Sequence, residues 1–388
     1  MGQRISLSRP YFDAQEQEAV RRVLESGRVV QGPEVEAFEA AIARLHGVRH
    51  CVAVSSGTAA LHVSFLALGL GPGDAVFVPS FAWPSAANMA RLVGAEPIFV
   101  DVLDKSYNLD PDDLASRIGQ CLEIGTSLPK LVVPVHEFGL AADLDRILAV
   151  AAKYSLEVVE DAACALGATY RTAPVGKFGR LGIFSFHPRK SITTGEGGAI
   201  VTNDTDLAER CRSWRNHGQR FSTGHRQFLF PGPNYRLTEI QAAIGCVQLA
   251  KFAGILAKRR ALVALYLEAL NSCSALDLPL SHPEHTWQTF MPCLHPEVDR
   301  ARVVQKLAEV GIEAGPGSVA AHLAQHFQPQ PELPVSTRLD RFGLALPLYA
   351  ALSPGEVQQV VDALLQALNS SVRGSAASGS APLTPRSS

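Results

Sequence analysis

Phe184-Ser-Phe-His-Pro-Arg-Lys190-Ser-Ile-Thr-Thr-Gly-Glu-Gly-Gly198 reads as a strand, a lone lysine and a glycine-rich turn, in that order. The apolar run 183–187 has the look of a strand buried on both faces, and the turn leads back into a second one at 199–202. The glycines at 195, 197 and 198 allow backbone angles that bulkier residues avoid. Upstream, the apolar run Leu156-Glu-Val-Val ends in the acids Glu160 and Asp161. A carboxylate at the C-terminal end of a buried parallel strand points into the crevice where such sheets bind ligands. A helix cap is the other reading of Asp161.

Working outward, further short apolar runs closed by turn residues or Asp occur at 51–55, 75–79, 97–101 and 131–136. With 157–161, 183–187 and 199–202 they make seven predicted strands. Helical patterns such as 59–70 and 143–154 fall between them, which predicts an α/β doubly wound domain with a mainly parallel sheet. Residues 238–270 read as one long helix, opened by a capping box of Thr238 and Gln241. We therefore expect a large domain over 1–250, including an N-terminal arm, and a smaller C-terminal α+β domain over 251–370. The latter holds helices near 301–310 and 353–368 and extended segments near 289–294 and 344–348. Residues 371–388 are rich in Ser, Gly and Ala and lack the apolar groups that offset ordering, so they read as a disordered tail.

Composition narrows the function. Basic and acidic residues nearly balance, 35 against 37, which gives no electrostatic footprint for a nucleic acid. No uninterrupted apolar run approaches the roughly 20 residues of a bilayer span, and the N-terminus shows no signal-peptide pattern. The seven cysteines have no zinc-knuckle or disulfide-framework spacing, so we expect reduced thiols, a cytoplasmic protein and no metal. His322 and His326 have i, i+4 spacing on a possible helix, but no His-Glu-x-x-His motif accompanies them.

Lys190 and Asp161 together are the residues that pyridoxal phosphate requires. A lysine amine binds its aldehyde as an imine, and an acid keeps its ring nitrogen protonated, so that the ring can accept electrons. The freed amine can then carry a proton as a general base. Other residues complete the set. Ser56-Gly57-Thr58-Ala59 lies where a strand gives way to a helix, and free N–H groups there favour a phosphate; an ordinary capped turn is the alternative. The Ser185 hydroxyl is placed to reach the same phosphate. Trp83 follows a strand and could stack on a flat ring, or be a core aromatic. Arg236, in Asn234-Tyr-Arg, suits a carboxylate or phosphate, or a surface ion pair.

These pieces resemble the nucleotide-sugar aminotransferases of the DegT/StrS type. The resemblance runs through Ser56-Gly-Thr-Ala-Ala-Leu61, Pro134-Val-His136, Glu160-Asp-Ala-Ala163, Lys190 with Thr194-Gly-Glu-Gly-Gly198, Asn216-His-Gly218 and Asn234-Tyr-Arg-Leu-Thr238, and covers about residues 8–365. It implies the fold type I of pyridoxal-phosphate-dependent transferases and a homodimer with composite sites. It also implies that Lys190 and Asp161 are catalytic and that Gly57, Thr58, Trp83, Cys164, Ser185 and a neighbouring subunit's Asn234 bind the cofactor. Arg236 and His217 are the tentative substrate residues. Many members carry Gln or His where this chain has Cys164, and a thiol is a weak donor.

The expected reaction moves an amino group from L-glutamate to a keto group of a nucleotide-activated deoxysugar, for a surface polysaccharide or a secondary metabolite. The alternatives are a sugar dehydratase (lyase) and a non-catalytic regulator. Lys190 argues against the lyase, whose relatives replace that lysine with His.

Overall fold

The computed structural model of the protein describes residues 4–222 and 224–371. All seven predicted strands form and share one sheet: β1 (His50–Val54), β2 (Asp74–Pro79), β3 (Glu96–Val100), β4 (Leu128–Val132), β5 (Glu157–Asp161), β6 (Leu181–Ser185) and β7 (Gly198–Thr202), in the order β1-β7-β6-β5-β4-β2-β3. Only β7 is antiparallel to its neighbours. The remaining pairs are parallel. Side chains alternate between two cores: Ala75 and Phe77 of β2 face the helices Pro111–Ile124 and Leu144–Lys153, while Val76 and Val78 face the opposite core with the helix Gly57–Ala67. This double burial is why the strands read as continuous apolar runs.

β4 stops at Val132, short of the predicted 136. Pairing resumes just beyond it, where Val135 bridges Asp161 and the His136 N–H donates to the Asp161 carbonyl. The chain ends of β4 and β5 therefore lie side by side above the sheet.

The long helix runs Glu239–Leu270 with the Thr238–Gln241 capping box in place. It passes through residue 250 without a break. Ala242, Phe252 and Ile255 pack with the sheet domain, whereas Leu262, Val263, Tyr266 and Leu270 belong to a second core with Phe290, Leu346, Val357 and Leu364. An 18-residue window of this helix has a mean hydropathy of 1.5, enough by length and composition to cross a bilayer. Gln241, Gln248 and Lys251 interrupt its apolar stretch, so it shows no long uninterrupted run; a third of that window is buried, and the buried apolar side chains of the helix are divided between two protein cores. We propose that these two cores are the large and small domains and that the helix belongs to both.

The N-terminal arm packs on the C-terminal core. Ile5 bridges Ile312, the Leu7 N–H donates to Glu313 (3.0 Å), and Ile5 is buried in the C-terminal core. The arm thus ties residues 5–7 to the C-terminal core. At the other end, Ser371 is buried and its carbonyl accepts from the Asp299 N–H, so the packed chain reaches at least this residue. The rest of the tail read as disordered, 372–388, lies outside the described residues.

Candidate active site

A cavity of about 520 Å³ opens at the C-terminal ends of β4, β5 and β6. Strand ends build most of it. β5 delivers Asp161 and, just beyond, Cys164; β6 delivers Ser185 and then Lys190; the start of the helix Gly57–Ala67 contributes Gly57 and Thr58; Trp83 stands past the end of β2. Seven of the residues singled out in the sequence therefore meet in one place.

Each is held by local chemistry. Ser56 caps its helix by accepting from the Ala59 N–H (3.0 Å). Gly57 is needed for closeness, since a Cβ there would sit 2.8 Å from the Ser185 Cβ. Gly198 is needed more strictly: a Cβ would fall 2.3 Å from the Ser56 carbonyl oxygen. Trp83 is 67% exposed, which rules out the core-aromatic reading and leaves a flat apolar surface at the cavity wall.

The Asp161 carboxylate is buried, lines the cavity and accepts from the Ala163 N–H (3.0 Å). The bond to Ala163 closes a turn two residues on, and no helix starts here, so the helix-cap reading of Asp161 does not hold. Burial raises its proton affinity, an effect that the Ala163 N–H, Lys190 and His136 oppose. Among the described residues no ion pair neutralises it, so it suits a cationic ring nitrogen. Lys190 Nζ donates to Cys164 Sγ at 3.0 Å. Burial alone would lower the affinity of this amine for a proton, but Cys164, Asp161 and Glu137 outweigh it and the ammonium is favoured. Burial pushes the Cys164 thiol above its ordinary range, and the neighbouring acids oppose its ionisation, against the pull of Lys190.

Glu160 plays no part in the cavity. Its carboxylate accepts from His136 Nε2 (3.1 Å) and from the N–H groups of Gly176, Phe178 and Gly179. His136 Nδ1 accepts from the Ala142 N–H, so the ring proton lies on Nε2. Burial would raise the Glu160 carboxyl, but these donors hold it below its ordinary value.

Asn234, Arg236 and His217 do not line the cavity of their own chain. Asn234 is exposed on a segment fixed by an Asn216–Asn234 backbone bridge, and Arg236 donates to the Asn216 side chain, which is neither a carboxylate contact nor an ion pair. His217 lies beside them in a left-handed conformation, its N–H given to the Pro233 carbonyl.

Sequence reasoning missed several cavity residues. Glu137, Arg189 and Glu196 are charged; Gln288, Thr289 and Ser318 come from the C-terminal half. Glu137 carried the same signal as Asp161, an acid just past a buried strand. The C-terminal residues carry no local signal. His322 and His326 lie on separate 3-10 turns rather than one helix, His322 bonding Ser80 and His326 bonding Asn88. Among the described residues no cluster of His, Cys, Asp or Glu could hold a metal.

The residues present fit pyridoxal phosphate: a half-buried amine, an unpaired buried acid, a helix start beside a serine hydroxyl and an exposed indole border one cavity. The comparisons agree. The model of the DegT/DnrJ/EryC1/StrS aminotransferase family matches residues 10–365. A DegT DnrJ EryC1 StrS aminotransferase from Brucella abortus is 33% identical, with 92% of this chain and 95% of that one covered and a TM-score of 0.86. Helicobacter pylori PseC, an aminotransferase involved in the biosynthesis of pseudoaminic acid, is 26% identical over 95% of this chain and 100% of its own, with a TM-score of 0.89. Spr1654 from Streptococcus pneumoniae, assigned as a sugar aminotransferase and solved in its PLP form, is 25% identical over 95% and 99%, with a TM-score of 0.87.

Proposed function

The chain belongs to the DegT/DnrJ/EryC1/StrS aminotransferase family, whose enzymes depend on pyridoxal phosphate, and from that premise we propose that it moves an amino group from L-glutamate to a keto group of a nucleotide-activated deoxysugar. The observation that carries the reading is the convergence of Lys190 and Asp161 on one cavity from two adjacent strands. When bound, pyridoxal phosphate supplies an aldehyde that takes up an amino group and a ring that accepts electrons.

The chain's own groups then have distinct tasks. Lys190 Nζ anchors the cofactor and holds or moves a proton at the reacting centre. The Asp161 carboxylate would hold the ring nitrogen and keep a positive charge there favourable. The N–H groups of Gly57 and Thr58, with the Ser185 hydroxyl, would take the phosphate at the helix start. Trp83 would offer the ring a flat apolar surface. Cys164 lies beside Lys190, where it is a weak donor toward the cofactor.

We place a second copy of the chain at this site. Asn234 is exposed and rigidly presented, and Phe228 and Leu229 nearby expose apolar surface. A homodimer would bring Asn234 to the partner's phosphate and Arg236 and His217 toward its substrate. All seven cysteines are free, which suits a reducing cytoplasm.

The test uses purified protein loaded with pyridoxal 5′-phosphate. A visible absorption band should appear and be bleached by L-glutamate. The aminated form should then regain the band with one or more members of a panel of nucleotide-activated ketosugars. Recovery with keto-cyclitols or sugar phosphates alone would reject the nucleotide-sugar assignment.

A further inference from the structure

Glu137 is a second acid in the cavity, and the mechanism above leaves it unused. It lies in the turn Glu137–Gly139, just past β4, and is 4% exposed. The turn is fixed on several sides. The Glu137 N–H donates to Asn108 Oδ1 (2.8 Å), Phe138 adopts a left-handed conformation (φ 54°), and the Gln288 N–H donates to the Phe138 carbonyl (2.7 Å). The side chain lines the same cavity as Lys190, Asp161 and Ser318, and the Ser318 hydroxyl favours its charged form. A buried carboxyl group that shares a cavity with an amine does more than fill space.

We propose that Glu137 is a positioning residue that acts through Lys190: its negative charge, steadied by the Ser318 hydroxyl, stabilises the protonated state at Nζ and makes the lysine a stronger base. The proposal rests on the assignment of Lys190 as the cofactor-bearing lysine. Other charges face the same space. Asp161 comes from β5, Cys164 from the turn after it, and His187, Arg189 and Glu196 from the lysine segment. Glu160 and His136 are turned away and paired with each other. Burial pushes the Glu137 carboxyl up to about 8, with Lys190 pulling it down, Asp161 pushing it up and Ser318 favouring the charged form. The carboxyl therefore gains its charge as pH rises through about 8 and is largely neutral well below it.

The sign follows from charge. An ionised Glu137 favours the cation at Lys190, so removing it lowers the pH at which that position gives up its proton. A single charge at close range shifts such a midpoint by about 1 unit or more, roughly tenfold in proton affinity. The experiment is a spectrophotometric titration of the pyridoxal-phosphate-loaded protein from about pH 6 to 10, comparing wild type with Glu137→Gln. Gln keeps a side chain able to bond Ser318 but carries no charge. We expect the midpoint of the visible band to fall by about 1 unit. Ser318→Ala leaves Glu137 in place without its hydroxyl donor and should move the midpoint the same way by less; it also serves if the Gln variant does not fold. Equal midpoints in folded variants, or no titration in any of the proteins, overturn the proposal while leaving the Lys190 assignment intact. A wild-type protein without a visible band, or a Lys190→Ala protein that keeps one, overturns the assignment and the proposal together.

Discussion

Glu160 and Asp161 are neighbours on one strand, yet their carboxylates lie on opposite sides of the sheet. Asp161 looks into the cavity, and Glu160 is closed into a cage formed by His136 and three backbone N–H groups. Side chains on a strand alternate, so adjacent acids cannot act as a pair. On the proposed function, Asp161 serves chemistry and Glu160 the scaffold, and their substitutions should separate accordingly.

Asp161→Asn should fold normally and lose turnover. Asn fills the same space and keeps the bond to Ala163, but it cannot stabilise a positive ring nitrogen. Loss of charge stabilisation at a reacting centre costs about 3 kcal/mol, roughly a hundredfold in kcat. Single-turnover rates with L-glutamate on cofactor-loaded protein, beside a urea melt, measure both. Near-normal turnover would refute the role.

Glu160→Gln should do the reverse, lowering stability by about 3 kcal/mol because an amide nitrogen would confront N–H donors that need an acceptor. Stability should also respond to pH. The folded Glu160 carboxyl lies below its ordinary value of 4.5, so its contribution is present above that pH and disappears as pH falls through the lower, folded value. Urea midpoints of wild type and variant should therefore converge as pH falls below the ordinary value of 4.5 and through the lower, folded one. A gap that stays constant until the wild type itself unfolds in acid would contradict the assignment.

Lys190→Ala should abolish both the visible band and transamination, since among the described residues no other amine lines the cavity with Asp161 and Cys164. Borohydride reduction followed by peptide mapping checks this directly. A reduced cofactor adduct elsewhere in the variant would move the assignment to another lysine.

Asn234→Ala should weaken pyridoxal phosphate retention, because one donor to a charged phosphate contributes about 1.5–3 kcal/mol. Mixing Lys190→Ala chains with Asn234→Ala chains should restore one complete site per hybrid dimer. Sedimentation of an active monomer, or no restoration on mixing, would exclude a site shared between copies.

Much of this protein was legible in the linear chain. The seven strands appear as apolar runs because a parallel sheet covered on both faces excludes water from every side chain. The capping box at Thr238 and the glycine turn after Lys190 are local rules read over a few residues. Lys190 and Asp161 were visible for the same reason: each sits where a buried strand ends, and polar groups there demand a partner. What the chain alone did not show depends on contacts across long stretches of sequence. Ser318 and Gln288 reach the cavity from the C-terminal half, residue 5 pairs with residue 312, and the helix Glu239–Leu270 joins two cores. The fate of the two acids on β5 also waited for the fold, because only the surroundings of each carboxylate decide which is caged and which faces a ligand. Local pattern fixes where a side chain leaves the backbone; packing fixes what it meets, and that encounter sets its charge.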